Sequence, residues 1–582
     1  MSQTVSVWGG RHGGTSPSGR TIVAVWVAVV SAGGTGGLLR ELDAAGKPAG
    51  PVEAAPELGA AVARWERAGP PRWVLTAVAQ EYPSLLDAGV RLDRCHDLLL
   101  TEALLLGHAG RWGAPRSLAA AWARLSGGVV PDDPVPASRQ LQPALFEPAA
   151  AGMPAGVDPL QAVTAVYADQ RRRMAALAPA GRMRLLAAAE SACALAAVEM
   201  GRVGMPWRAD AHDALLSELL GPRPVAGARP PRLAELAERI SAAFGGRPVN
   251  PDSPADVLRA FAREGIALAS TRSYLLREVE HPAVPALLAY KELSRLHTAH
   301  GWNWLETWVH EGRFRPEYVV GGVVTGRWAS RGGGALQIPR TVRRAVVADP
   351  GWVLVVADAG QLEPRVLAAL SGDIAMAEAA GVDDLYEGLA ERAFGGDRAR
   401  AKLALLSAMY GGATGGAAEL LAILHQRFPV AMAHVEAAAR AGEEGRLVRS
   451  HLGRTCPPPG QRWREAQAVA GGPGADAEAE RAAVQRGRER GRFTRNFIIQ
   501  GTAAEWALIL LATLRQRLAG TDAELVFFQH DEVIVHCRRE LAEEVTEAVT
   551  GAAEAARRLM FGDTPVRFPV RVAVAERYSD AK

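Results

Sequence analysis

The chain has 582 residues, 48% of them hydrophobic, with a formal net charge of +3 and a pI near 8.7. That length suits about three to five domains with several cores, and the mild charge permits nucleic-acid binding without requiring it. Cys95, Cys193, Cys456 and Cys537 are scattered, with no Cys-x-x-Cys, which argues against a disulfide framework or a zinc site and fits a reducing cytosol.

Residues 1–125 open on a β-rich run, Ile22–Val30, and continue with Ala- and Leu-rich helical stretches. Thr21–Ala32 is too short to span a membrane and no cleavage signal follows, so it reads as a strand of a soluble protein. Gly127–Pro159 is rich in Pro, Gly and Ala and reads as a linker. Leu160–Leu220 is helical, and Gly221–Pro231 is a break. Helices follow at Leu233–Phe244 and Asp256–Glu264, where Ser253 suits an N-cap and Pro254 the first helical position. Val284–His300 is a further helix, and Arg327 lies in the glycine-rich loop Gly326–Gly334.

Trp352–Asp358 is an apolar strand ending on a carboxylate, with Glu363 and Pro364 at the start of the next helix. Asp397–Gly411 is rich in helix formers, and Arg398, Lys402, Leu406 and Tyr410 recur every fourth residue on one face. Two cations, an apolar residue and an aromatic order a nucleoside triphosphate from phosphates to sugar to base; a basic first turn leading into a buried stripe gives the same pattern. Lysine occurs only at Lys47, Lys291, Lys402 and Lys582, against 62 arginines. Arginine is effectively never deprotonated, so Lys402 reads as a general acid to leaving pyrophosphate.

Gly471–Glu480 reads as a mobile insertion, and the charged run Arg481–Arg492 as a DNA-phosphate track or a solvated helix. Gln500 opens a helix, Thr502–Leu518. Leu525–Phe528 and Val533–His536 read as strands around a turn carrying Asp531 and Glu532, preceded by His530. Adjacent acids resist burial unless a cation is present. Asp358 and Asp531, at the ends of separate strands, suit Mg²⁺, which takes one or two carboxylates and completes its shell with phosphate and water. Two such ions stabilise both the attacking and the leaving oxygen of a phosphoryl displacement.

These segments carry a resemblance. Asp358-Ala-Gly-Gln-Leu-Glu-Pro-Arg365 resembles the first palm motif of family A DNA polymerases, the DNA polymerase I or Klenow-fragment type. The helix Arg398-x₃-Lys402-x₇-Tyr410-Gly411 resembles their fingers motif, and His530-Asp531-Glu532 their second palm motif. Thr325-Gly-Arg327 with Leu336-Gln-Ile-Pro339, and Arg492-x₃-Asn496-x₃-Gln500-Gly-Thr-Ala-Ala504, resemble the flanking segments. All five occur in family order.

The resemblance implies a multidomain α/β fold: an exonuclease-like (ribonuclease H-like) α/β domain at 1–160, then a right-hand polymerase. Its thumb and connecting helices would span 161–300, palm 301–372, fingers 373–494 and the second palm part 495–582. It implies template-directed DNA synthesis from primer-template DNA and dNTPs, with two Mg²⁺ ions (Mn²⁺ substituting) held by Asp358, the Ala359 carbonyl and Asp531, and Glu532 in support. Arg398, Lys402, Leu406, Tyr410, Gln361 and Glu363 would bind the nucleotide, Glu363 blocking a ribose 2′-hydroxyl. Arg327, Arg492, Asn496, Gln500 and His530 would hold DNA, with Arg327 and Gln500 reaching minor-groove acceptors that every base pair offers. A monomer in a bacterial cytoplasm, associated with the nucleoid and not with a membrane, is the corresponding setting.

Four departures stand out. Leu406 replaces the family's usual aromatic, Ala359-Gly360 replace Tyr-Ser, and Leu336–Pro339 lacks the family's Asn. The exonuclease chemistry needs an Asp-x-Glu pair on the first strand plus two more aspartates. Ile22–Val30 holds no acid, Glu81 stands at best for the second Asp, and Val163 and Tyr167 fall where Tyr-x₃-Asp belongs. An exonuclease-like domain without activity, and no 5′-nuclease domain, is the expectation. Rival readings are a catalytically decayed DNA-binding protein and, against the missing acids, a 3′–5′ exonuclease.

Overall fold

A computed structural model describes residues 25–32, 34–134, 153–154, 156–225, 227–411 and 417–581. The start of the expected first strand, residues 21–24, and the middle of the expected linker, residues 135–152 and 155, lie outside the described residues.

The N-terminal unit is a five-stranded mixed sheet of order β3-β2-β1-β4-β5, built from β1 (Trp26–Ser31), β2 (Gly37–Leu42), β3 (Pro48–Ala55), β4 (Arg72–Leu75) and β5 (Arg94–Asp97). β1 pairs antiparallel with β2 and parallel with β4, and β4 runs parallel to β5. Successive side chains of a strand point to opposite faces. Val27 and Val29 therefore enter one apolar cluster with Trp73 and Leu195, while Ala28 enters another with Val74, Val163 and Tyr167. Helix α1 (Pro159–Ala175), capped by Asp158, covers the second face.

Helix α2 (Arg182–Val203) joins this unit to the rest. Ala194 and Leu195 pack on the N-terminal sheet, whereas Leu186, Cys193 and Met200 belong to the main core. Below the joint, buried Arg515 donates to Glu199 at 2.6 and 2.9 Å and to the carbonyl of Asp93 at 2.9 Å. Three of the next helices, Pro231–Ala243, Pro254–Arg263 and Ala283–His300, fall where the pattern put them. Ser253 caps the second by accepting from the Asp256 amide at 3.3 Å, with Pro254 in the first turn.

A four-stranded antiparallel sheet follows, of order β7-β8-β6-β9: β6 (Trp352–Ala359), β7 (Ala523–Gln529), β8 (Glu532–Arg538) and β9 (Val570–Ala575). Between its strands lie α3 (Leu362–Ser371), α4 (Arg398–Tyr410), α5 (Pro429–Glu443) and α6 (Ala477–Arg517). One continuous apolar core runs through α2, the sheet, the α4–α5 region and α6.

Three expectations need correction here. Gln500 does not open a helix; it sits inside the 41-residue α6. A Cβ at Gly501 would lie 3.2 Å from Ser450 Cβ, so the glycine serves close packing within the helix. The expected insertion Gly471–Glu480 is a short turn from helix Gln461–Ala470 into α6, whose first turn is capped by Asp476. The Gly326–Gly334 loop contains a strand, Ala329–Arg331, paired with Glu317–Val319. Among the described helices α6 alone is long and apolar enough to cross a membrane, and that apolar stretch is packed inside the protein.

Candidate active site

The two predicted strand ends meet. In the register of the sheet Asp358 lies opposite Glu532 on one side and Arg571 on the other. The β7–β8 hairpin turns through His530 and Asp531, with His530 in the left-handed region at φ 60°. The Ala359 amide donates to the Asp531 carbonyl at 3.0 Å, fastening the hairpin tip to the end of β6. The Asp531 carboxyl opens to solvent on one side. The protein crowded around it, and next the negative charge of Asp358, push it up to about 6.

Glu532 corrects the sequence reading. It is not part of the turn but the first residue of β8, only 5% exposed, and the Tyr578 hydroxyl donates to it at 2.7 Å. Among the described residues no group of three or more His, Cys, Asp or Glu forms a ready metal cage. Asp358 and Asp531, whose negative charges repel, are instead a donor set that Mg²⁺ accepts, with phosphate and water as its other ligands.

A cavity of about 250 Å³ opens beside Asp531 and brings together Arg327, Gln361, Glu363, Leu406, Tyr410 and His530. Glu363, in the first turn of α3, pairs with Arg327 and accepts from the Tyr410 hydroxyl. Burial, then this carboxylate, raises the Tyr410 phenol, which also bonds Gln500. His530 is lowered, by burial first and then by the Arg327 charge. Gln361, at φ 56°, is fixed rather than free: it donates to Asp384 at 2.7 Å and accepts from the Leu385 amide at 2.8 Å.

Helix α4 presents the expected face. Arg398 binds Asp384 through two nitrogens at 2.8 and 3.1 Å and lies 5.6 Å from the centre of the Tyr386 ring. Lys402 is exposed one turn on; neither cation lines the cavity, whereas Leu406 and Tyr410 do. At the end of α4, Gly411 takes φ 75°, and a Cβ there would lie 2.8 Å from Arg492 Cγ, so both conformation and approach call for glycine. Asn496 keeps a buried Oδ1 without a partner. Arg492, Asn496 and Gln500 thus border the α4 end from α6 without lining the cavity itself.

Sequence reasoning quoted Arg365 only as the end of a motif, without a role, and missed three further participants. Arg365 is fully buried and donates to five backbone carbonyls, those of Gly360, Ala380, Val382, Asp383 and Arg567, tying α3 to the segments around it. An arginine inside the apolar run Leu362–Leu370 was the available signal. Asp384 and Tyr386 hold Arg398, Tyr386 also lines the cavity, and Arg495 donates to the Ala408 carbonyl at 3.2 Å, anchoring α4 to α6. Nothing in their spacing marked them.

The palm sheet, the helices packed across from it and the helical region upstream make a right-hand polymerase fold. The fold superposes with TM-score 0.68 on the "POL domain of Pol1 from M. smegmatis complex with DNA primer-template and dNTP", at 20% identity over 96% of each chain. The chain belongs to DNA polymerase family A, whose model matches residues 229–580. It is 29% identical over 337 residues to "DNA polymerase I, thermostable" of Thermus aquaticus, covering 53% of this chain and 37% of that one. It is also 29% identical over 400 residues to "DNA polymerase I" of Chloroflexus aurantiacus, covering 60% of this chain and 39% of that one. The chain thus spans little more than a third of the length of these relatives.

Proposed function

We propose that this protein is a DNA-directed DNA polymerase that extends a primer 3′ end with deoxynucleotides. The observation that carries this is the joining of Asp358 and Asp531 at one sheet end, beside a cavity walled by Glu363, Leu406 and Tyr410. Asp358, the Ala359 carbonyl and Asp531 would hold two Mg²⁺ ions, whose charge would stabilise the attacking and leaving oxygens of phosphoryl transfer. Asp358 and Asp531 hold the negative charge for this, and Glu532, fixed by Tyr578, adds to it from below. Arg398 leaves Asp384 for the triphosphate, Lys402 protonates the leaving pyrophosphate, and Tyr410 and Leu406 shape the nascent pair. Glu363, held by Arg327 and Tyr410, stands where a ribose 2′-hydroxyl would collide. Gln361 braces this wall, and Arg327, Arg492, Asn496, Gln500 and His530 position primer and template.

The reading divides the chain into an N-terminal exonuclease-like unit (1–160), thumb (161–300), palm (301–372 and 495–582) and fingers (373–494). The strand order and mixed directions of β1–β5 support a ribonuclease H-like unit. Its chemistry is gone: the face of β1 that would carry acids holds Ala28 against Val74 and Val163. Asp97 is spent accepting from the Val78 and Leu100 amides at 2.8 Å each, and Glu81, pushed up to about 7 by burial, bonds Thr76.

Primer extension by the purified protein with Mg²⁺ or Mn²⁺, beside Asp531→Ala and with dNTPs and rNTPs compared, tests the reading. No incorporation by wild type would leave a decayed DNA-binding protein. Release of nucleotides from the primer 3′ end would instead revive the nuclease.

A further inference from the structure

A second cavity, of about 480 Å³, lies where the N-terminal sheet meets α2, and none of its lining residues borders the cavity at Asp531. It opens at the starting ends of β1, β4 and β5, through Trp26, Arg72 and Arg94. Four guanidinium groups line it, Arg72, Arg94, Arg171 and Arg184, and no carboxylate does. Arg94 is partly balanced by Asp93 at 3.2 Å. Among the described residues the other three make no ion pair.

Like charges gathered around a half-buried space repel one another unless an anion joins them. The Arg72 guanidinium is accordingly lowered, by burial first and then by Arg94. The geometry holds the cations ready. Arg72 and Arg171 lie 4.9 and 5.1 Å from the centre of the Trp26 ring, and Arg171 also donates to the Tyr167 hydroxyl at 3.2 Å. Cation–π contact fixes each fork without neutralising it. A fixed guanidinium fork matches the oxygens of a phosphate. Arg184 stands exposed at the rim.

The opposite wall is different. Met174, Leu185 and the α2 alanines Ala187, Ala188 and Ala192 make it apolar and low. Inorganic phosphate would satisfy the cations and leave this wall wet. A ligand filling both halves needs a phosphate joined to a flat, weakly polar body, and the volume is that of an ordinary small-ligand site. We propose that this cavity binds a nucleoside phosphate, either a free mononucleotide or one nucleotide unit of a single strand.

Calorimetric titration of the full chain with 5′-dAMP in EDTA tests this. One site per chain is expected, weakened at least tenfold in Arg72→Gln/Arg171→Gln, with primer extension by that variant within twofold of wild type. Asp531→Ala should bind 5′-dAMP as wild type does, which separates this site from the polymerase cavity. Should the double variant fail to fold, Arg184→Ala, an exposed rim change, must weaken binding threefold or more. Tighter binding of a short oligo(dT) than of 5′-dAMP identifies a strand as the source, and the reverse a free nucleotide. Absence of 5′-dAMP binding, unchanged affinity in the folded variants, or equal affinity for inorganic phosphate each overturns the proposal.

Discussion

The N-terminal sheet and the palm sheet each hang on a central apolar strand, β1 and β6, and differ at the strand's end. β6 runs out through Asp358 into a backbone bond with the hairpin that carries Asp531. β1 runs out through Val29, Val30 and Ser31, and the helix laid over it offers Val163 and Tyr167. Both sheets are well packed. In the palm, Asp531 borders a cavity and feels the negative charge of Asp358, and its carboxyl is pushed up to about 6. In the N-terminal unit the acids are consumed: Asp97 by two amides, Glu102 by Arg124, Arg173 and Gln170. The contrast teaches that packing and chemistry are separable: a central strand packs as well without a carboxylate at its end as with one.

The strongest way to break the comparison is to remove one acid from each side. Asp531→Ala should lower primer extension by about 10³-fold or more, the loss of several kcal/mol of charge stabilisation. Glu81→Gln should leave both extension and 3′-end release unchanged in the same assays. A fall in extension from Glu81→Gln, or nuclease activity removed by it, would return chemistry to the N-terminal unit.

Next in size is Arg365→Met, which leaves five backbone carbonyls without their donor. It should cost about 3 kcal/mol or more of stability, read by urea unfolding, because buried unpaired acceptors carry their full desolvation cost. Glu363→Ala should then relax selection against rNTPs by roughly 10- to 100-fold, the size of one specific contact. Tyr410→Phe should do less, since it removes only the hydroxyl that steadies Glu363. Ratios of kcat/KM for dNTP and rNTP measure both.

The smallest effect is one of pH. Glu505, fully buried on α6, accepts from Ser450 and from the Leu452 amide, and burial pushes its carboxyl up to about 7 from an ordinary 4.5. The folded protein keeps this proton where the unfolded chain releases it. Its contribution to stability is therefore full below pH 4.5 and is lost as pH rises to 7. Glu505→Gln keeps the neutral form throughout. Its stability relative to wild type should rise across that window by about 1 kcal/mol per pH unit, measured by unfolding at pH 5, 6 and 7.

Much of the site was legible because it is written locally. The apolar run that stops at Asp358, the two β runs around His530 and Asp531, and the fourfold recurrence of Arg398, Lys402, Leu406 and Tyr410 are patterns of period 2 and 3.6, which neighbours in sequence create. The start of α6 was not legible, because glycines interrupt its helical pattern until the partner surfaces of α5, at Gly491, and of Ser450, at Gly501, supply a reason for two of them. Arg365 closed a motif without a role, and Arg495 looked like one more among 62 arginines.

What the sequence determined by itself was the inventory: which strands end in acid, which helix carries cations on one face, and that the first strand carries no acid at all. What only the tertiary structure decided was company. Asp358 gained Asp531 as a neighbour, Glu363 gained Arg327 and Tyr410, Arg398 was held by Asp384, and Trp26 was set between arginines from two other elements. Periodicity is a property of a segment, fixed by the backbone's own repeat. The energy of a charge depends on what surrounds it, and that is supplied by residues far along the chain.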